Sequence, residues 1–228
     1  MKIFTGQQIK EIDEFTIVHE PVSSIDLMER AAGKIFSWIA SRFGRSHKIV
    51  VAAGPGNNGG DGLALARMFA LSGYDTEVFY ISFTGNVSPD WKINRERLEQ
   101  TRKAKFHVVT EPNQFPVAER DAIIVDAIFG SGLNRPADGL AAKVINRINE
   151  SHCIKISVDM PSGLFTEDNS NNNKEAIVRA DYTLSFQFPK LSFMFAENYI
   201  YTGEWHILDI GLHPDAIRNT ATPYCFIE

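Results

Sequence analysis

Apolar positions recur at helical spacing from the start of the chain: Ile9, Ile12 and Phe15 follow Thr5, with Gln8 three positions after that threonine as in a capping box. The spacing predicts a first helix. Ser23 with Asp26 repeats the signal, and Leu27, Met28, Ala31, Ala32, Ile35, Phe36 and Ile39 form a broad apolar stripe running towards Gly44. Two helices are therefore expected before any strand. Short apolar and β-branched runs at 48–53, 76–83, 106–109, 122–129, 154–159 and 182–188 predict strands, and 205–210 a last one. Helical patterns at 61–71, 90–104 and 137–149 lie between several of them. Strands alternating with helices of this length predict a mostly parallel sheet covered on both faces. The expected fold is α/β: a three-layer αβα sandwich with a Rossmann-like, mostly parallel sheet and two N-terminal helices. No repeat or linker divides residues 1–228, so they read as one domain, and the asparagine-rich stretch 168–174 reads as a surface loop. The last six residues, from Pro223, are strand-like and lack a polar tail, which suggests a chain cut from something longer.

Composition narrows the partners. Lys and Arg number 23 against 28 Asp and Glu, a net charge of −5, so no basic surplus exists to attract nucleic acid or an anionic membrane. The two cysteines, Cys153 and Cys225, lack CxxC spacing and read as buried thiols. The amino terminus turns polar and acidic too soon for a signal peptide, and the apolar runs at 63–71 and 123–129 are too short for a bilayer. A reducing cytoplasm is the expected compartment.

Ligands of doubly wound sheets bind beyond the carboxyl ends of the strands, and three turns there are unusual. The first is Gly54-Pro55-Gly56-Asn57-Asn58-Gly59-Gly60-Asp61-Gly62, where five glycines in nine residues allow close backbone approach to a ligand. Gly54, Gly56 and Gly59 satisfy a bare GxGxxG, but the second predicted strand ends Tyr80-Ile81-Ser82, without the acid that would hold a dinucleotide ribose. Asp61 would also repel a pyrophosphate at the helix start; the alternative is that it only caps the helix. A hydride-transferring enzyme is disfavoured.

The second turn runs Asp126-Ala127-Ile128-Phe129-Gly130-Ser131-Gly132-Leu133-Asn134-Arg135-Pro136. Asp126 ends an apolar strand, where a carboxylate is costly to bury unpaired, and Arg135 is a candidate phosphate clamp. Blandly, the first is a turn cap and the second a solvated charge. The third is Val158-Asp159-Met160-Pro161-Ser162-Gly163, again a carboxylate at a strand end. Asn58, Asp126 and Ser162 offer oxygens with one formal charge among them, poor for Mg²⁺ or Ca²⁺ but adequate for a monovalent cation. The six histidines lie outside these turns and form no HxxxH pair, and no GxSxG elbow is present. Lys190 reads as an exposed structural lysine in preference to one that reaches the site. Phe186, Phe188, Phe193 and Phe195 read as core or interface.

At these turns the sequence strongly resembles the NAD(P)H-hydrate epimerase family. Residues 54–62, 126–136 and 158–163 carry the match, with support from the amino-terminal helices and Phe188-Pro189-Lys190. The resemblance implies substrate-binding roles for Asn57, Asn58, Gly59, Gly60, Asp61, Gly130, Ser131, Gly132, Leu133, Asn134, Arg135, Pro136 and Asp159. It implies Asn58, Asp126 and Ser162 as K⁺ ligands, in accord with the monovalent-cation reading. It further implies a homodimer that repairs NADH or NADPH hydrated at ring carbon C6, alone or fused to an ADP-dependent dehydratase.

The chemistry can be derived separately. A hydroxyl beside the ring nitrogen is a hemiaminal, so the nitrogen lone pair can expel it and leave a planar iminium that water re-enters from either face. Epimerisation needs an acid, a base and fixed dipoles, and no redox cofactor. Asp159 is the expected acid/base, and K⁺ is expected to organise the loops and diphosphate. The rival reading is a nucleotide-binding or protein-interaction module without catalysis, which would have little use for two desolvated carboxylates.

Overall fold

The computed structural model describes residues 1–227. In chain order its elements are β1 (Lys2–Ile3), α1 (Gly6–His19), α2 (Ser24–Ala40), β2 (Lys48–Ala53), α3 (Asn57–Leu71), β3 (Thr76–Ile81), α4 (Pro89–Thr101) and β4 (Lys105–Val109). There follow β5 (Ala122–Ala127), α5 (Gly139–Glu150), β6 (Ile154–Val158), β7 (Tyr182–Phe186), α6 (Tyr199–Thr202), β8 (Glu204–Leu208), α7 (Pro214–Asn219) and β9 (Tyr224–Cys225). The capping box forms: Thr5 Oγ1 accepts the Gln8 amide at 3.2 Å, and Gln8 Oε1 accepts the Thr5 amide at 3.0 Å. Ser23 caps α2 by accepting the Asp26 amide.

Seven strands pair in the order β4-β3-β2-β5-β6-β7-β8, every pair parallel. The chain builds outward from β2 to β4, then returns to lay β5 against the other side of β2. That reversal is the switch point at which doubly wound sheets hold ligands. Alternation along β2 feeds two cores. Ile49, Val51 and Ala53 pack with Ile35 and Ile39 of α2 and Leu63, Leu65 and Phe69 of α3. Val50 and Ala52 join Ile124 of β5 and Val144, Ile145 and Ile148 of α5 on the opposite face. The result is the expected three-layer sandwich. A third cluster ties Phe4, Ile9 and Ile12 to Leu27, Phe188 and Ile210, so α1 is anchored near the chain that follows β7.

Three local expectations change. A strand precedes the helices: β1 pairs antiparallel with β9, Lys2 opposite Cys225, so the strand-like run from Pro223 meets an unexpected partner at the start of the chain. Second, α3 starts at Asn57 rather than at 61, because the glycine-rich stretch is itself the first helical turn, with Gly60 N–H donating to Gly56 O at 3.1 Å. Asp61 therefore lies inside the helix and cannot cap it. Third, Cys153 is buried but Cys225 is exposed, since β9 lies on the outside of the β1–β9 ribbon. No helix among the described residues is long and apolar enough to cross a membrane.

Candidate functional site

β2, β5 and β6 are neighbours and parallel, so the three unusual turns leave the sheet at one edge. The first two press together through glycine. Gly54 N–H donates to Ala127 O at 3.0 Å, and a Cβ on Gly54 would stand 2.0 Å from Ile128 O. A Cβ on Gly59 would stand 1.8 Å from Gly54 O, closer than any side chain allows. Gly130 lies on Asn58, whose Cγ is 3.1 Å from where its Cβ would be. The start of α1 closes the same edge: Gly6 lies against Ser131 O, and its amide donates to Glu167 Oε1 at 2.7 Å.

Asp126 is fully buried, and its partners are neutral. Oδ2 accepts the Ser162 amide and the Ser157 hydroxyl, both at 2.8 Å, and Oδ1 accepts the Ser162 hydroxyl at 2.5 Å and, weakly, the Ile128 amide. Burial raises its pKa and these donors oppose the rise. Ser162 Oγ also accepts the Phe129 amide at 2.9 Å and lies 3.3 Å from Phe129 O. Close by, the buried Nδ2 of Asn58 has no hydrogen-bond partner. The two ends of an amide share one outline, so Asn58 can turn its oxygen inward. One formal charge, several neutral oxygens and an unpartnered amide fit a monovalent cation. No cluster of three or more His, Cys, Asp or Glu among the described residues suits a harder or softer metal.

Asp159 follows the last residue of β6 with φ of +63°, a left-handed conformation that aspartate tolerates better than most residues. Its amide still donates to Leu184 O at 2.9 Å, so the turn is anchored to β7 while its side chain lies against the end of that strand. Oδ1 accepts the Phe186 amide at 3.2 Å and lies 2.8 Å from Lys190 Nζ. Lys190 is 0% exposed and also donates to Phe186 O and Phe188 O. The exposed structural lysine expected at this position is instead the buried counter-ion of the strand-tip carboxylate. A long, flexible cation after a strand gives no periodic signal of which way it turns.

Two further acids join them. Asp13 of α1 is half-buried, and its pKa is pushed up to about 7, by burial first and then by the charge of Asp159, against the pull of Lys190. Asp61, enclosed by protein though part of it still meets solvent, is raised well above the usual carboxylate range by burial, then by Asp159, Asp13 and Asp90. Asp90, at the start of α4, accepts a hydrogen bond from Ser24 Oγ. The sequence marks neither Asp13 nor Asp90 as a candidate. Asp13 left a readable trace: it lies four residues after Ile9 and three before the fully buried Thr16, on the inward face of α1.

The remaining expected residues fall into place along this edge. Asn57 is exposed on the first turn of α3, and Gly59 and Gly60 are buried beneath it. Gly130, Ser131 and Leu133 are half-buried, while Gly132, Asn134, Arg135 and Pro136 are exposed. Among the described residues Arg135 pairs with no carboxylate, so its guanidinium is open to an anion. Phe188 and Phe193 are core, Phe186 is half-buried and Phe195 exposed.

A parallel sheet whose switch point bears a glycine-bound helix, a buried oxygen cluster and an ion-paired carboxylate defines a Rossmann-like α/β protein with titratable groups gathered at its strand tips. Residues 24–192 match the family described as YjeF-related protein N-terminus. The chain is 33% identical over 206 residues to the NAD(P)H-hydrate epimerase of Limosilactobacillus fermentum, covering 90% of this chain and 95% of that one. It is 36% identical over 194 residues to the bifunctional NAD(P)H-hydrate repair enzyme Nnr of Thermofilum pendens, covering 84% of this chain and 36% of the larger protein. The fold matches a crystal structure of yeast ynu0 with a TM-score of 0.73 at 23% identity, covering 100% of this chain and 97% of the other. The chain belongs to the NAD(P)H-hydrate epimerase family, and it is an isomerase by that membership.

Proposed function

We propose that this protein interconverts the R and S forms of C6-hydrated NADH and NADPH by loss and re-addition of the C6 hydroxyl. The observation that carries the reading is the buried Asp159–Lys190 pair at the strand-tip edge, beside the glycine-bound start of α3. Loss of the hydroxyl requires a proton for the departing oxygen and a polar wall for the cationic ring. Asp159 supplies a carboxylate held by Lys190 and the Phe186 amide; in this reading it exchanges a proton with the hydroxyl or water and faces the iminium. Asn57 to Asp61 and the 130–136 turn bind the nucleotide, with Arg135 or loop amides on phosphate.

Asn58, Asp126 and Ser162 would hold K⁺. The ion would supply fixed positive charge that draws the α3 and 130–136 turns into one wall. In this reading the product passes to an ADP-dependent dehydratase, which fits the bifunctional name of the Thermofilum pendens relative.

The test is a single purified hydrate epimer followed by chromatography. Wild-type protein should equilibrate the two forms. Asp159→Asn, which keeps shape and removes charge, should slow the reaction by about 10²- to 10⁴-fold. Nucleotide binding with no interconversion by the wild type would favour a non-catalytic module instead.

A further inference from the structure

Inversion at C6 involves both faces of the nicotinamide ring: water leaves from one, and another water enters the opposite face and gives up a proton. A single carboxyl fixed on one side serves one face. Asp159 projects from the sheet edge, anchored to Lys190 and the end of β7. Asp13 comes from a different wall. Its helix, α1, lies across that edge: Gly6 abuts Ser131 O, while Ile9 and Ile12 pack with Phe188 and Leu27. Met28, next to Leu27, lies against Gly60, so α2 reaches the start of α3.

Asp13 is half-buried on α1, and among the described residues no protein donor or cation bonds its carboxyl. With no protein donor on it, this carboxyl takes its hydrogen bonds from solvent or from a ligand. The charged groups that act on it are Asp159, Lys190, Glu14 and Asp61. Its raised pKa of about 7 leaves it partly protonated at neutral pH, a poise suited to giving and taking a proton.

We propose that Asp13 is the second acid/base catalyst of the epimerisation, acting on the ring face opposite Asp159; the assignment rests on the epimerase reading. For the hydrate whose hydroxyl faces Asp13, the carboxyl gives its proton to that oxygen, the C6–O bond breaks, and the nitrogen lone pair becomes the N1=C6 bond. Water leaves. A second water adds to C6 from the other face, the N1=C6 pair returns to nitrogen, and the Asp159 carboxylate takes the released proton. The opposite epimer uses the same groups in exchanged roles, and proton exchange with solvent resets the pair.

The experiment measures initial rates from each epimer with full-length wild-type, Asp13→Asn and Asp13→Glu proteins. Asp13→Asn should lose about 100-fold or more in kcat with little change in KM, and Asp13→Glu should recover part of the loss. A melting temperature at or above wild type shows that catalysis, not structure, was removed; should Asn perturb α1, Asp13→Ser carries the same expectation. Asp13→Asn turning over within about threefold of wild type overturns the assignment and leaves the epimerase reading standing. A wild-type protein that inverts neither epimer overturns both.

Discussion

Lys190 Nζ lies 2.8 Å from Asp159 Oδ1, and the two side chains are 1% and 8% exposed. Four residues after β7, a lysine has folded back into the protein to meet a carboxylate at the end of the neighbouring strand. Such a pair gains little over an apolar contact of the same size, because both charges are stripped of water, but removing one partner strands the other. Its worth therefore lies in placing Asp159 more than in holding the fold.

Lys190→Met should cost about 3–5 kcal/mol, because the Asp159 carboxylate is left buried without a cation. Adding Asp159→Asn to Lys190→Met should return much of that loss. Urea unfolding of the two single variants and the double variant gives the coupling directly. A single-variant cost below about 1 kcal/mol would show that the pair is solvated.

Gly59→Ala should be among the most damaging single changes in the chain. Its Cβ would stand 1.8 Å from Gly54 O, and backbone lies on both sides of the contact. A loss of about 3 kcal/mol or more in unfolding free energy is expected. Gly56→Ala, where nothing lies within 4 Å of the new Cβ, is the matched control and should be nearly silent.

Asp13 ties stability to pH with a definite sign. Its folded pKa of about 7 exceeds its ordinary value of 3.8, so between those values the folded protein keeps a proton that the unfolded chain has released. Stability contributed by this group is present at low pH and declines as pH rises through that window. Asp61, raised in the same direction, adds to the slope. Asp13→Asn should melt a few degrees higher than wild type at pH 8, with the gap closing towards pH 4, as thermal scans across that range would show. A lower melting temperature at pH 8 would mean that the ionised carboxylate is stabilising.

The oxygen cluster around Asp126 predicts a cation effect separable from ionic strength. KCl should raise both melting temperature and epimerisation rate above NaCl at equal concentration, by about 1.4 kcal/mol of stability at ten times the dissociation constant. Asp126→Asn should erase the difference between the two salts. Equal responses of the wild type to both salts would remove K⁺ from the site.

Much of this architecture is legible in the sequence because it is local or periodic. The apolar runs of β2, β5 and β6 and the Thr5 cap announce themselves within a few residues, and the strand-end aspartates are visible because a charge interrupts an apolar run. What stays hidden depends on distant partners. β1 is two residues long and pairs with β9 at the other end of the chain, and α3 begins inside a glycine stretch of low helix propensity that lies against the backbone following β5. Lys190 follows an apolar run that predicts nothing about the direction of a long side chain. Asp13 is an intermediate case: its helical phase points it inward, but only the fold brings it within reach of the charges of Asp159 and Lys190.

If the C6 hydroxyl leaves and solvent replaces it, inversion in H₂¹⁸O must exchange the oxygen. A single unlabelled epimer is incubated with the protein, and the opposite epimer is isolated and weighed by mass spectrometry. Each inverted molecule should carry one heavy oxygen from the solvent. Inversion that retains the original oxygen, or no inversion at all, would rule out loss and re-addition of the hydroxyl by this protein.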